Sequence, residues 1–475
     1  MTVATSRELK RSSVGFLGSL YNSLAGQAPA YSIAGGAALI MGSAKAAAPL
    51  AMLITLLGVL AIVYSIFITA RRYPHAASFY AYVTNTINPK AGFFNGIIYT
   101  IFYSIVGVGS VAIAFAYLGV EGIYAVTGYQ VNPLILLPIP VVLALIPAVL
   151  GIRPSIRTEV SLTSIEIGVL LIFVALTIIT NAGKLSVLPF TISGAYALTP
   201  LGALSALSGG LVYAITYFMG FEVSTQLSEE VKDPRRNVPV STLWATVFMG
   251  ILYVLVTYAI LVNIGYSQYA VNNFVNEASG MGVNPVYTLI AHYLGEPGLV
   301  LFAVSVMISV FGCYLATLNA TARMLYGMAR DGLLPAWLSD THPRYGSPHK
   351  ALYFSTIISV LTIVMAYLAS WLSGYIKPIE LTYNAMQYAY AIDSLYYVVS
   401  LILVAVGALM VARLSGKVII TIGAALLAIT LYYSVVNLPL LYILAASIVL
   451  IIIIEYTILR DKLSKIKYSI CLNCT

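Results

Sequence analysis

Charge is scarce in this sequence. Asp, Glu, Lys and Arg make up 8% of its 475 residues, and hydrophobic residues make up 60%. A water-soluble domain carries roughly a quarter charged residues. No polar surface can be assembled in water from such a composition, so a lipid bilayer is the expected solvent and partner. The formal charge is +8, yet the basic residues form no stripe with interleaved aromatics of the kind nucleic acid requires. No nucleic-acid partner is expected. Cysteine is rarer still, with three residues. Cys313 sits in an apolar run, where a thiol packs as a small hydrophobe. Cys471 and Cys474 form one C-x-x-C pair in a tail that offers none of the other ligands zinc needs. The four histidines, His75, His292, His342 and His349, are scattered. Neither a metal site nor a cofactor is expected. Nucleotide-binding G-x-x-x-x-G-K-[ST], G-x-S-x-G and H-E-x-x-H motifs are all missing, which leaves an ATP-driven pump or a membrane enzyme without support. The chain is not expected to be an enzyme.

What the sequence does have is long apolar runs. A helix needs about 20 apolar residues to cross the hydrocarbon core. Twelve runs qualify: 14–43, 47–70, 91–119, 131–151, 159–181, 201–227, 239–264, 298–329, 351–373, 382–412, 418–437 and 439–459. They are too long for barrel strands, so an all-α integral membrane protein of about twelve transmembrane helices is predicted. Residues 1–13 and 460–475 are polar tails around a transmembrane domain over 14–459. The first run is too long for a signal-peptide core and is expected to stay as the first membrane helix. The segment 265–297 is polar and suits a short surface helix.

Orientation follows from the basic residues. All 24 Lys and Arg residues except Lys45, Lys184 and Lys377 fall on one side of the twelve-run pattern. The positive-inside rule then places both termini in the cytoplasm of a multi-pass cell-membrane protein.

Two runs are interrupted. Run 1 carries Ser23-Leu24-Ala25-Gly26-Gln27-Ala28-Pro29-Ala30-Tyr31 at mid-membrane, and Pro29 both removes a donor and clashes with the preceding turn. Run 6 carries Tyr213 to Glu222, with Gly220 and Glu222 mid-span, where an acid is costly and usually functional. These runs open the five-run units 1–5 and 6–10. Breaks at matching places in two halves point to a transporter site built from inverted repeats, and they expose backbone only where it lines a cavity. The free N–H groups of the half-helix starting near Pro29 are expected to hold a carboxylate. Carbonyls ending the preceding half-helices are expected to hold an ammonium. A zwitterion needs both. The binding candidates are Ala25, Gly26, Gln27, Ala28 and Tyr31 in run 1, and Tyr217, Phe218 and Gly220 in run 6. Tyr217 and Phe218 suit either closure over a substrate or simple core packing.

Beyond this point the sequence resembles a known family. Ser228-Glu229-Glu230-Val231-Lys232-Asp233-Pro234-Arg235-Arg236-Asn237-Val238-Pro239, with the preceding Gly220-Phe221-Glu222, resembles the loop after the sixth helix of amino acid–polyamine–organocation (APC) superfamily transporters. Arg323 to Pro335 resembles the end of that family's eighth helix, and Arg71 to Ala76 with Tyr80 its first inner loop. The resemblance implies a LeuT-like fold of five plus five helices in inverted repeat, with two additional helices. It also implies secondary transport of amino acids or related amines. Many relatives carry a Gly-Ser/Thr-Gly break in the first helix, where this chain has Gly26-Gln27-Ala28-Pro29. Some proton-coupled relatives place Lys in the fifth helix where this chain has Glu166.

Four acids fall within apolar runs: Glu166, Glu222, Asp393 and Glu455. Glu222 follows the run 6 break and Glu166 faces the same region from run 5, so both are coupling candidates. Asp393, in a Tyr-rich stretch of run 10, suits either a structural bond or a place beside the cavity. The expected activity is alternating-access amino acid transport coupled to H⁺, with Na⁺ open. The alternatives are an amine or polyamine carrier and an amino acid exchanger.

Overall fold

The computed structural model describes residues 8–279, 283–435 and 438–457. The tail pair Cys471 and Cys474, Arg7 and the basic residues after 459 lie outside them. The helices, in chain order, are α1 (Phe16–Gln27), α2 (Pro29–Ala44), α3 (Ala48–Arg72), α4 (Ser78–Thr86), α5 (Pro89–Ile97), α6 (Val106–Thr127), α7 (Pro133–Leu136), α8 (Pro138–Val149), α9 (Ile152–Thr180), α10 (Pro200–Ala214), α11 (Pro234–Ile264), α12 (Gln268–Ser279), α13 (Pro285–Arg330), α14 (His349–Leu372), α15 (Pro378–Val411), α16 (Leu414–Val435) and α17 (Leu438–Thr457). Among the described residues nine helical stretches are long and apolar enough to cross a bilayer. The first, Phe16–Arg72, takes in both run 1 and run 2. Shorter apolar stretches at Pro133–Val149 and Tyr442–Glu455 correspond to runs 4 and 12. Each of the twelve runs therefore has its helix.

The boundaries differ from the sequence reading for identifiable reasons. Run 3 is longer than expected, because α5 continues through a π-helical segment, Ile98–Ile105, into α6. Run 4 is divided at Leu137 into α7 and α8, where Pro138 and Pro140 remove backbone donors. The helix of run 8 begins at Pro285 and kinks at Gly295, whose φ is +65°. The polar segment before it does form a surface helix, α12. A short buried helix, α4, follows run 2 outside all twelve apolar runs.

Run 1 lies at the centre. Its first half, α1, packs against α9, α11 and α13, and its second half, α2, against α10 and α13. Around them α3 runs along α11, α6 packs against α13, α14 and α15, and α16 covers α3 and α15. On the face that carries the arginine-rich loops, called here the basic face, the chain start is pinned. Ser13 and Val14 donate their N–H groups to the Glu230 carbonyl at 2.7 and 3.0 Å, and Lys232 N–H donates to the Val14 carbonyl at 2.8 Å.

Candidate functional site

Both interrupted runs break at the expected residues. Ala28 adopts a left-handed conformation, φ 45° and ψ 71°, between α1 and α2. In run 6, α10 gives way to a 3₁₀ turn, Ile215–Phe218, then to extended Met219 and to Gly220 at φ +94°. The chain resumes as a second 3₁₀ turn, Val223–Leu227. The half of run 6 after the break is thus 3₁₀ rather than α, with Glu222 immediately before it. The two breaks touch. A Cβ built on Gly220 would lie 2.4 Å from the Gly26 carbonyl oxygen, and one on Gly26 would lie 2.6 Å from that of Gly220. Only glycines allow this approach.

A broken helix in a membrane must find new partners for its backbone groups. Here neighbouring helices supply them. Gln27 O accepts from Ser32 Oγ and from Tyr253 Oη of α11, both at 2.9 Å. Gly26 O accepts from Cys313 Sγ of α13 at 3.2 Å. At the start of α2, Ala30 N–H donates to Glu166 Oε2 of α9 and Tyr31 N–H to Ser309 Oγ of α13, each at 3.2 Å. The N–H groups expected to hold a substrate carboxylate are therefore already engaged in this conformation. Glu166 is the carboxyl group at the N-terminus of α2, where the helix dipole favours its ionised form and burial disfavours it.

A cavity opens beside the breaks. Gly26, Gln27, Ala28, Tyr31 and Gly220 line it, together with Tyr103, Ser110, Thr317, Tyr390 and Asp393. A second cavity shares Tyr31, Ser32, Thr216 and Tyr390 with the first and extends past Gly35, Gly36 and Tyr217. Between the two, Tyr31 Oη and Tyr390 Oη form a hydrogen bond of 2.9 Å.

Glu222 is wholly buried, and three phenols converge on it. Tyr99 and Tyr103 Oη donate to its Oε1 at 2.9 and 3.3 Å, and Tyr397 Oη of α15 donates to its Oε2 at 2.8 Å. Tyr99 and Tyr103 stand on the π-helical segment, the kind of local widening that recurs at functional sites. Their hydroxyls meet one carboxylate oxygen with the rings 4.9 Å apart, edge to face.

The sequence model of the family described as amino acid permease matches residues 20–467. The chain belongs to the amino acid permease family. It is 29% identical over 157 residues to a methylthioribose transporter of Bacillus subtilis, covering 32% of each chain. It is 26% identical over 145 residues to the branched-chain amino acid permease BcaP of the same organism, covering 30% of this chain and 29% of the relative. The chain thus spans about a third of the length of these relatives. Among solved structures, MhsT in complex with L-phenylalanine is similar over 90% of this chain and 99% of its own, with a TM-score of 0.57 and 14% identity. The fold is LeuT-like, with the two five-helix units and two helices beyond them, and the protein is a multi-pass membrane protein.

In this permease family member the candidate residues divide into groups. Gly26, Gln27, Ala28, Tyr31 and Gly220 share one cavity wall. Tyr217 lines the second cavity, with its ring edge-on to Tyr253 at 5.0 Å. Phe218 packs on the same Tyr253 at 5.7 Å, and Ala25 packs with Val223, Ala316 and Ala320; neither lines the cavity. Glu166 and Glu222 adjoin the breaks from outside the cavity wall. Glu159 escaped the sequence reading because it falls at the start of run 5. It is fully buried and accepts from Asn22 Nδ2 at 2.9 Å.

Arg323, placed by the sequence near the end of run 8, is also wholly buried. Its Nε and Nη2 grip Glu230 at 2.5 and 3.2 Å, and its Nη1 donates to the Asn319 carbonyl and Oδ1 at 3.0 Å. The neighbouring Glu229 pairs instead with the part-exposed Arg330, at 2.6 Å. Burial alone would push the Glu229 carboxyl up, but hydrogen bonds from Arg330 and the nearby His75 and Arg330 hold it down at about 2.

Proposed function

We propose that this protein is a secondary transporter that carries amino acids across the cell membrane by alternating access, coupled to protons. The observation that carries the reading is the meeting of two broken runs at one cavity, with Gly26 against Gly220. Unwound backbone at mid-membrane is tolerated only where it lines a cavity or is buried in protein. Membership of the amino acid permease family supports an amino acid as the ligand, as does a LeuT-like neighbour that holds L-phenylalanine. With the Ala30 and Tyr31 N–H groups engaged, a substrate carboxylate would enter this site by displacing Glu166 or Ser309.

The basic face is assigned to the cytoplasm through the positive-inside rule. Single cysteines replacing Arg71, Arg153, Arg235 or Arg344 in a cysteine-free background should resist impermeant thiol reagents in whole cells. Those replacing Lys184 or Lys377 should react. The reverse pattern overturns the orientation.

Coupling is assigned to Glu222. Charge-assisted hydrogen bonds are roughly twice as strong as neutral ones, so a proton on Glu222 weakens the hold of Tyr99, Tyr103 and Tyr397. The inner half of run 6 is then released from the π-helical segment and from α15. Glu166 is the competing site, because its charge state governs its bond to Ala30 N–H. In proteoliposomes, Glu222→Gln should keep substrate binding but reduce gradient-driven uptake to the level measured without a pH gradient. If the phenotype appears in Glu166→Gln instead, the proton site is Glu166. Wild-type pH profiles in both variants, with uptake following a Na⁺ gradient, would exclude both acids.

A further inference from the structure

Asp393 is the one acid that the coupling reading leaves unused inside the cavity wall. It stands mid-helix on α15 and is 3% exposed. Ser110 Oγ of α6 donates to its Oδ2 at 2.7 Å, while Oδ1 receives no hydrogen bond from the protein. No Lys or Arg lines this cavity among the described residues, so Asp393 is its sole formally charged side chain. A buried carboxyl stays ionised only when it is paired with opposite charge and hydrogen-bonded, and otherwise keeps its proton, so a cationic ligand is what would hold Asp393 as a carboxylate. An ionisable residue at this depth marks a substrate or ion path. The other lining side chains are uncharged, and Tyr31, Tyr103, Thr317 and Tyr390 among them offer neutral donors and acceptors. The usual anion cradle at the start of α2 is meanwhile filled by Glu166.

The geometry points to a substrate that carries net positive charge, with an ammonium or guanidinium group at the end of a flexible chain that pairs with Asp393 Oδ1. A neutral zwitterion leaves Asp393 uncompensated, because its own ammonium is matched by its own carboxylate. A basic amino acid or a diamine supplies the missing charge. This inference rests on the proposed substrate cavity and specifies its selectivity.

Three ligands separate the possibilities. L-Lysine and L-norleucine have the same carbon chain and differ by the terminal ammonium. L-Lysine and cadaverine differ by the carboxylate. In thermal-shift or equilibrium binding measurements on the purified full chain, lysine should bind and norleucine should not compete with it. Cadaverine that binds like lysine makes the substrate an amine. Cadaverine that fails where lysine binds makes it a basic amino acid. In Asp393→Asn, lysine affinity should fall by roughly 10- to 100-fold, the worth of a hydrogen bond to a charged group. Any weak norleucine binding should be unchanged. Tight norleucine binding to the wild type overturns the charge inference and leaves the amino acid reading intact. So does an equal loss for both ligands in Asp393→Asn. Binding of none of the twenty amino acids and no amine overturns the substrate cavity itself, and this inference with it. The wild-type arm decides the matter even if the variant does not fold.

Discussion

Gly220→Ala is expected to abolish transport and to destabilise the protein, although it adds a single methyl group. Its new Cβ would sit 2.4 Å from a backbone carbonyl oxygen, that of Gly26. Unlike the tip of a flexible side chain, that oxygen cannot rotate away. Gly26 O is held in addition by Cys313 Sγ. Residue 220 also has φ +94°, a region where a Cβ costs about 1–2 kcal/mol, and overpacking adds about 1–3 kcal/mol. Gly26→Ala meets the same contact from the other side at 2.6 Å. It does so from within a regular helix, so only the overpacking cost of about 1–3 kcal/mol applies. The expected order of melting temperature and of uptake is therefore wild type, then Gly26→Ala, then Gly220→Ala. The bulkier Gly26→Leu should fold yet lose substrate binding. Wild-type uptake by Gly220→Ala would mean that the two breaks do not stay in contact during the transport cycle.

Adjacent glutamates should behave in opposite ways. Removing one partner of a buried ion pair costs about 3–5 kcal/mol, because a charge is left without compensation. Glu230→Gln does this to Arg323, and both side chains are at most 1% exposed. Glu229→Gln breaks a pair that water reaches, its side chains being 22% and 33% exposed, so it should cost less than Glu230→Gln. Denaturant or thermal unfolding in detergent should therefore separate the two variants clearly. A double replacement, Glu230→Leu with Arg323→Met, should recover most of the loss, since an apolar pair of similar volume often matches a buried ion pair. If Glu230→Gln is as mild as Glu229→Gln, then water reaches Arg323 and the basic face is less tightly closed than the geometry indicates.

The parts of this fold that were legible in the sequence rest on short-range chemistry. An apolar run announces a membrane helix by composition alone, and Gly26, Pro29 and Gly220 announce breaks because each alters what the backbone can do locally. The resemblance over 228–239 and 323–335 fixed the family before any fold was in view. The rest depended on partners distant in the chain. Arg323 looks like every other arginine near a helix end until Glu230, 93 residues away, is seen to enclose it. Tyr99 and Tyr103 read as ordinary aromatic residues of an apolar run. Their role follows from a π-helical turn and from a carboxylate on another helix. Pro29 marks the start of α2 in the sequence, but that Glu166 and Ser309 take the N–H groups there depends on two other helices. Run 4 is the reverse case: Pro138, Pro140 and Pro147 are local signals, and the helix divides at Leu137 beside the first of them.

The face of α15 that carries Tyr390, Asp393 and Tyr397 has a mechanical meaning. Positions 390 and 397 point within about 20° of each other around a helix and lie about 10 Å apart along it. Tyr390 meets Tyr31 on α2, the second half of run 1, and Tyr397 meets Glu222 at the break of run 6. An α-helix is stiff over so short a length, so the side chains are teeth on one shaft. A turn of α15 about its axis cannot disengage one without moving the other, and Asp393 sits between them on the cavity wall. The two broken runs are thereby geared together through a single helix, without a relay through the surrounding bundle.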